Sequence, residues 1–472
     1  MNSFALMRMK RRFILVSSLK GIKRGHAMSS IVQRALIGAT AAAILAGAAG
    51  AQLLPSVGVP ALPRVGLPTG NVPVAGPVLD SILSQPGAQQ AVAPTLDSVS
   101  GLPQRVIDAG PSTLLQLRQL RLRELVRQYP QQLEMDGDGQ PIRRGVLLAI
   151  DPDPASVQLA LRSGFRVIGT ESQADLALRT ITLAVPSGLS ARQGAKRLRS
   201  IAPGLQVEFD HLFEPAGGEL LPFAGMLAAS AGPSRGPLIG IVDGGVASHP
   251  SLGSASIEQN GFAGRPQPTG HGTAVASLIV GNQGRFQGAA RGASLLVADV
   301  YGGSRAAGSA SSIIRALAWL ASKRPQVINI SLVGPQNKLV HRAVTAVRAR
   351  GINVVAAVGN DGPAAPPQYP ASYPGVISVT GVDGRGRALP EAGRPTHLDF
   401  AAPGSDMAAA LPGQGYARVR GTSFAAPLAA ARLALSGSVQ RLAAEARPGK
   451  GRVGRGVVCA LCRVDPKAVR AK

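Results

Sequence analysis

The chain has 472 residues and a formal charge of +25, with 58 glycines, 37 prolines and only 3% aromatics. Such a length holds two or three domains, and frequent apolar periodic stretches exclude wholesale disorder, so the core has to be built from Ala, Val, Leu and Ile. The charge favours weak attraction to polyanions such as nucleic acid, anionic headgroups or acidic cell-wall polymer. The Arg residues are scattered, however, and no aromatic stacking platform accompanies them, which excludes a specific nucleic-acid module.

At the N-terminus, Lys10, Arg11, Arg12, Lys20, Lys23 and Arg24 precede "ALIGATAAAILAGAAGAQ", an apolar run ending in Ala49-Gly50-Ala51. Basic lead, apolar run and small-x-small end are the parts of a signal peptide. Residues 1–51 are read as one, with Met28 as an alternative start because the basic lead is long. The run is short for a membrane span and made of small residues. Export is therefore expected, to the periplasm or outside the cell, without stable membrane insertion once the signal is removed. No Cys follows the run to carry a lipid anchor.

Residues 52–100, rich in Pro, Gly, Val and Ser without periodicity, read as a linker. "PSTLLQLRQLRLRELVRQYP" then repeats Leu114, Leu117, Leu120 or Leu122, and Leu125 at helical spacing until Pro130. This predicts an amphipathic helix with a basic face, packed on its own domain. The "DGDG" at 136–139 lacks the ladder and closing Glu of a calcium loop and reads as a turn. Between 145 and 215, strand and helix patterns follow in the order β-α-β-β-α-β, which suggests a small α+β ferredoxin-like unit within 101–215. A loose joint over about 214–236 follows, with 216–235 as its linker.

From 236 the character changes. "PLIGIVDGG", "ASLLVADVYG", "VINISLVG", "INVVAAVGN" and "VISVTGV" are nearly continuous apolar runs, several separated by helix-like stretches. That alternation predicts an α/β domain over 236–465, with a mostly parallel central sheet covered on both faces. In such sheets reacting groups gather where strands end. "GVVCAL" is expected as a final strand, and 466–472 as a basic tail that frays. Cys459 and Cys462, spaced C-A-L-C, are either a local disulfide or two free thiols.

Four polar residues stand at the ends of these patterns. Asp243 closes an apolar strand, where it either opens a turn with Gly244 and Gly245 or receives a cationic partner. His271 lies between two glycines ahead of an amphipathic stretch, whereas His211, His249, His341 and His397 suggest surface or turn roles. Asn360 sits in Asn-Asp-Gly-Pro turn chemistry, yet its amide can also donate to an oxyanion. Ser423, in "GTSFAAP", is either a helix cap or a nucleophile at a helix start.

Taken together, "GIVDGGV", "GHGTAVASLIVG", "VINISLVGP", "VVAAVGNDG" and "GTSFAAPLAAA" resemble, in that order, the motifs of the subtilisin-like serine proteases, over about residues 236–440. Asp, His, Ser is that family's chain order. The "GHGT" stretch and Asn360 exclude the sedolisin branch, whose base is Glu and whose oxyanion group is Asp. The resemblance implies a three-layer subtilisin-like domain in which Ser423 attacks a peptide carbonyl and His271 transfers the proton. Asp243 would orient the imidazole, and Asn360 with the Ser423 N–H would hold the oxyanion. Ser331, Leu332, Val333 and Gly334 would pair with the substrate, and Thr422 would support the loop.

The same resemblance implies no required metal or organic cofactor; structural calcium, common in the family, is not indicated by any acidic loop here. It further implies that 101–215 is a propeptide, a folding aid and inhibitor removed by self-cleavage within 214–236. Two positions depart from the family. Gly244 stands where Ser or Thr is usual, losing a supporting hydroxyl, and Val333 stands where many relatives have Gly, narrowing the pocket before the scissile bond. Gly244 keeps open a weakly active or inactive scaffold, and the charge keeps open a basic cell-envelope binding protein.

Overall fold

A computed structural model describes residues 110–216, 226–228, 236–413 and 415–471. The expected signal peptide, the linker over 52–100 and most of the 216–235 joint lie outside these residues.

Helix α1 (Pro111–Gln128) turns Leu114, Leu117, Leu122 and Leu125 inward. It packs on its own unit, as its pattern predicts, and also reaches the second domain, because a Cβ on Gly362 would touch Leu114. After β1 (Leu133–Met135) come β2 (Pro141–Ile150), α2 (Pro154–Arg162), β3 (Arg166–Gln173), β4 (Leu178–Ala184), α3 (Ala191–Ile201) and β5 (Val207–His211). All their pairings are antiparallel; β2 lies between β4 and β5, and β3 is the outer strand. Asp153 caps α2, and Ser190 with Gln193 forms a capping box on α3. In β2, Leu147 and Ala149 join the core beneath α2 and α3, while Leu148 and Ile150 join the core of the following domain. Burial on both faces explains the unbroken apolar run.

The short strand β6 (Glu214–Pro215) leads to the second domain, built on β7 (Leu238–Asp243), β8 (Ser256–Gly261), helix α4 (Gly270–Val280) and a small hairpin of β9 (Asn282–Gln283) and β10 (Phe286–Gln287). Then follow β11 (Ser294–Asp299), α5 (Ala310–Lys323), β12 (Val327–Ile330), β13 (Leu332–Val333), α6 (Lys338–Ala349), β14 (Asn353–Ala357), β15 (Ile377–Val382) and β16 (Phe400–Pro403). The hairpin β17 (Met407–Ala410) with β18 (Tyr416–Val419), then α7 (Thr422–Ser436) and α8 (Val439–Ala444), complete it. Seven strands form one sheet in the order β16-β15-β14-β12-β7-β11-β8, every pair parallel. Side chains alternate across it: Ile239, Ile241, Leu295 and Val297 face α4 and α7, whereas Val242, Leu296 and Ala298 face α5 and α6. These are the three layers of an α/β domain. Strand order reverses around β7, so the ends of β7, β11 and β12 frame the crevice where such sheets place their ligands.

The first unit docks on α5 and α6 through β5. The Asp210 carboxylate accepts from the Ser311 N–H at 2.9 Å and the Ser311 hydroxyl at 2.8 Å, and Glu208 accepts from the Lys338 N–H at 3.1 Å. Two carboxylates thus meet the electropositive N-termini of two helices. Ion pairs Arg315–Glu171, Arg342–Asp151 and Arg350–Asp175 join the two bodies at 2.9, 2.5 and 3.2 Å.

Several expectations need correction. Residues 214–216 are not a loose joint: Glu214 and Pro215 pair antiparallel with Val333 and Leu332. Stretch 271–280 is not amphipathic but buried all round, because α4 packs on β7 and β11, beside α7 and against β17. "GVVCAL" forms no strand; Val457 alone bridges Ala401 and Arg447, since Gly456 and Cys459 take positive φ and turn the chain away. The tail does not fray before 471, for Pro466–Val469 forms a 3-10 turn against β17 and β18. Cys459 and Cys462 form a disulfide. His211 and His249 are buried rather than superficial. His211 Nε2 lies 3.1 Å from Asp136 Oδ2, and burial holds His249 below its ordinary pKa.

Candidate active site

Asp243 ends β7 and is fully buried. A carboxylate there requires donors; Gly244 N–H supplies one at 2.7 Å, and His271 Nδ1 lies 2.9 Å from both carboxylate oxygens. Since the carboxylate only accepts, Nδ1 carries the proton. The other ring nitrogen, Nε2, is buried and has no hydrogen-bond partner among the described residues. Thr269 caps α4 by accepting from Gly272 N–H at 3.0 Å, which places His271 in the first turn.

Gly244 has a steric reason. A Cβ there would fall 2.5 Å from Thr269 Oγ1 and 2.6 Å from Thr269 Cγ2. The hydroxyl missing at 244 is thus replaced in space by Thr269. Beside Asp243, at the end of β11, Asp299 accepts from the Gln267, Tyr301 and Gly302 amides at 2.7, 2.8 and 3.0 Å, and burial pushes its carboxyl up.

Ser423 lies fully buried in the first turn of α7, and the neighbouring Phe424 ring is 5.4 Å from the His271 ring. Pro427 inside that helix has no N–H to offer the Ser423 carbonyl. Ser331 Oγ donates to that carbonyl instead at 2.9 Å and accepts from Asn329 Nδ2 at 3.0 Å. Asn360 follows β14, and its Oδ1 accepts from Thr422 N–H at 2.9 Å. The Thr422 hydroxyl accepts from Gly359 N–H at 3.1 Å, the supporting role expected of it. Asn360 Nδ2, buried, has no partner among the described residues. At Gly421 (φ 141°) a Cβ would lie 2.9 Å from Asn360 Nδ2 and 3.7 Å from the Ala216 carbonyl oxygen. Amide and carbonyl therefore both border a glycine that has to remain bare.

Ala216 belongs to the segment lying in the cleft. Its N–H donates to Ser331 O at 2.8 Å, Leu332 and Val333 pair with Pro215 and Glu214, and Phe213 N–H donates to Gly308 O at 2.9 Å. Gly334 faces Phe213 so closely that a Cβ would lie 2.5 Å from its ring. Sequence reasoning missed this occupant; the alternation of Phe213 to Ala216 across the expected joint was its only trace.

Asp361, next to Asn360, is buried under α1: Arg118 Nε lies 3.1 Å from Oδ2 and Arg121 Nη2 2.9 Å from Oδ1. Burial works against its charge, but Arg121 and Arg118 outweigh that and hold the carboxyl below its ordinary pKa. Arg121 also reaches Glu214 at 3.3 Å, and Gln368 Nε2 donates to Asp361 Oδ2. Among the described residues no group of three or more His, Cys, Asp or Glu side chains could hold a metal, and no helix is long and apolar enough to cross a membrane.

The arrangement offers a hydroxyl at a helix start, an imidazole fixed by a carboxylate, and an amide over a peptide carbonyl. Comparison with known proteins agrees. The model described as "Subtilase family" matches residues 234–445. Subtilisin Savinase of Lederbergia lenta is 35% identical over 206 residues, 42% of this chain and 76% of that protein. An alkaline protease of Alkalihalobacillus alcalophilus is 35% identical over 206 residues, of which the chain spans about half the length, 53%. In fold, fervidolysin of Fervidobacterium pennivorans is similar at a TM-score of 0.57, with 20% identity over 70% of this chain and 62% of that one.

Proposed function

Because this chain belongs to the subtilase family of serine proteases, we propose that it is an exported endopeptidase made as a zymogen, whose first substrate is its own peptide bond after Ala216. The observation that carries this reading is that 213–216 fill the cleft and end with the Ala216 carbonyl beside Gly421, the glycine that Asn360 Nδ2 also borders.

Ser423 Oγ attacks the Ala216 carbonyl carbon and its proton passes to His271 Nε2, whose Nδ1–H stays on Asp243. The oxyanion is held by Asn360 Nδ2 and the Ser423 N–H, which lies at the electropositive start of α7. As the C–N bond breaks, His271 returns the proton to the leaving amine of residue 217. Water, deprotonated by the same imidazole, then releases Ser423 and leaves a carboxylate on Ala216. The unit 110–216 serves as inhibitor and folding aid, other polypeptides are later substrates, and neither specific nucleic-acid binding nor a required cofactor belongs to the reading. Calcium as a structural ion stays an open addition that the chemistry does not use.

A fluorophosphonate probe tests it together with N-terminal sequencing of the exported protein. The expected results are labelling that disappears in Ser423→Ala and a mature chain beginning at residue 217. A folded wild type that takes no label and retains its N-terminal unit would refute it.

A further inference from the structure

We propose that Gln368 and Val333 close the pocket beside Ala216, so that the enzyme cleaves after alanine-sized residues and rejects large ones. This rests on the proteolytic reading above and adds which side chain the site accepts.

Glu214 and Ala216 stand two apart on an extended strand, so their side chains share one side. The wall on that side is traced by contacts: Glu214 meets Arg121, Arg121 meets Asp361, and Asp361 accepts from Gln368 Nε2. Val333 stands directly opposite Glu214 in the antiparallel pair, and directly opposite residues present their side chains on one face, so Val333 lines the same wall. Gly359 shows how full the wall is. A Cβ there would fall 2.1 Å from Gln368 Oε1 and 3.3 Å from Val333 Cγ1, so the amide and the methyl meet over the glycine.

Gln368 cannot easily swing aside. It is only 5% exposed, its side-chain Nε2 is tied to Asp361, its backbone carbonyl accepts from Ser372 N–H at 3.1 Å, and the next residue, Tyr369, pairs in both directions with Gly334. The cavity beside Glu214, lined in part by Arg118, Gln140, Val333, Asp361 and Gln368, measures about 10 Å³, room for about one water molecule. With Gln368 and Val333 already meeting at Gly359, an aromatic or long aliphatic side chain at 216 would have to displace Gln368 to enter this wall.

The test uses the self-processed full-length protein, assayed after residues 110–216 have dissociated, on fluorogenic peptides Phe-Glu-Pro-X with X as Ala, Ser, Phe or Lys. The expected kcat/KM for Ala exceeds that for Phe and for Lys by about 10–200-fold. Gln368→Ala and Val333→Gly should each raise the Phe-to-Ala ratio by about tenfold or more, as relief of overpacking. Phe cleaved as well as Ala by the wild type, or a ratio unmoved in both variants, overturns the proposal. Lys as the best residue overturns it too, and assigns selection to the charge of Asp361. No cleavage of any peptide by the wild type overturns the proteolytic reading on which it stands.

Discussion

The hydroxyl of Ser331 donates to the carbonyl of Ser423 at 2.9 Å, taking the place of the helical N–H that Pro427 lacks. Ser331, between β12 and β13, therefore finishes the hydrogen bonding of the turn that carries Ser423, and its carbonyl accepts from the Ala216 N–H. Ser331→Ala should leave the Ser423 carbonyl and Asn329 Nδ2 buried without their partner, at about 1–3 kcal/mol. The melting temperature should fall by roughly 2–4 °C per kcal/mol. Pro427→Ala restores a helical donor, so the double variant should lose less than the single one in thermal unfolding.

Gly244 and Thr269 compete for one space, with a Cβ at 244 falling 2.5 Å from Thr269 Oγ1. Gly244→Ser should destabilise by about 1–3 kcal/mol through overpacking. In the background of Thr269→Ala the same serine should be tolerated, because its hydroxyl enters the vacated place. A double-mutant cycle in denaturant reads the coupling, and additive losses would contradict the steric account.

Asn360 uses its carbonyl oxygen on Thr422 N–H, and its Nδ2, without a partner among the described residues, is the oxyanion donor of the proposed mechanism. Asn360→Ala should lower kcat by about 10²–10³ with little change in KM, as expected for a group that acts in the transition state. A rise in KM at constant kcat would place the side chain in ground-state binding instead.

Asp361 makes the grip of the N-terminal unit depend on pH. In the covered state Arg121 and Arg118, against the opposing effect of burial, hold its carboxyl below the ordinary value. A depressed carboxylate contributes binding above the ordinary range, near pH 4, and that contribution is lost as pH falls through the lowered value. Asp136, where burial is outweighed by His211 and the Gln140 and Asp138 amides, acts in the same direction; Asp210, pushed up by burial, acts in the opposite one. After cleavage, retention of 110–216 on size exclusion should weaken as pH drops below about 4, with a flatter profile in Asp361→Asn. Arg121→Ala should weaken retention by about 3 kcal/mol, as loss of one partner from a buried pair.

Much of this was legible in the chain, for reasons that differ by residue. Strands β7, β11, β12, β14 and β15 announce themselves because both faces are buried, leaving no polar alternation. Strand β8 was missed, since Glu258 and Asn260 are exposed on the sheet edge and Gln259, a polar residue, turns inward to bond Val246 and Ala228, so the stretch reads as loop. Asp243, His271, Asn360 and Ser423 were found from local motifs, each of which also had an ordinary structural explanation. Thr269, Asp361 and Gln368 were not, because their parts depend on contacts across the fold rather than on neighbours in sequence. The Gly244 departure shows the same limit: the space of a side chain there is taken by a residue 25 positions later, an occupation visible only in three dimensions.

The cover over the cleft is fastened at many places that one scission leaves intact. Arg118 and Arg121 on Asp361, Arg315 on Glu171, Arg342 on Asp151 and Arg350 on Asp175 all bridge pieces that stay folded after a cut behind Ala216. On the proposed cleavage after Ala216, the first turnover and the first attack on another molecule therefore run on separate clocks. A lag divides them, and its length is the lifetime of the severed cover on the enzyme.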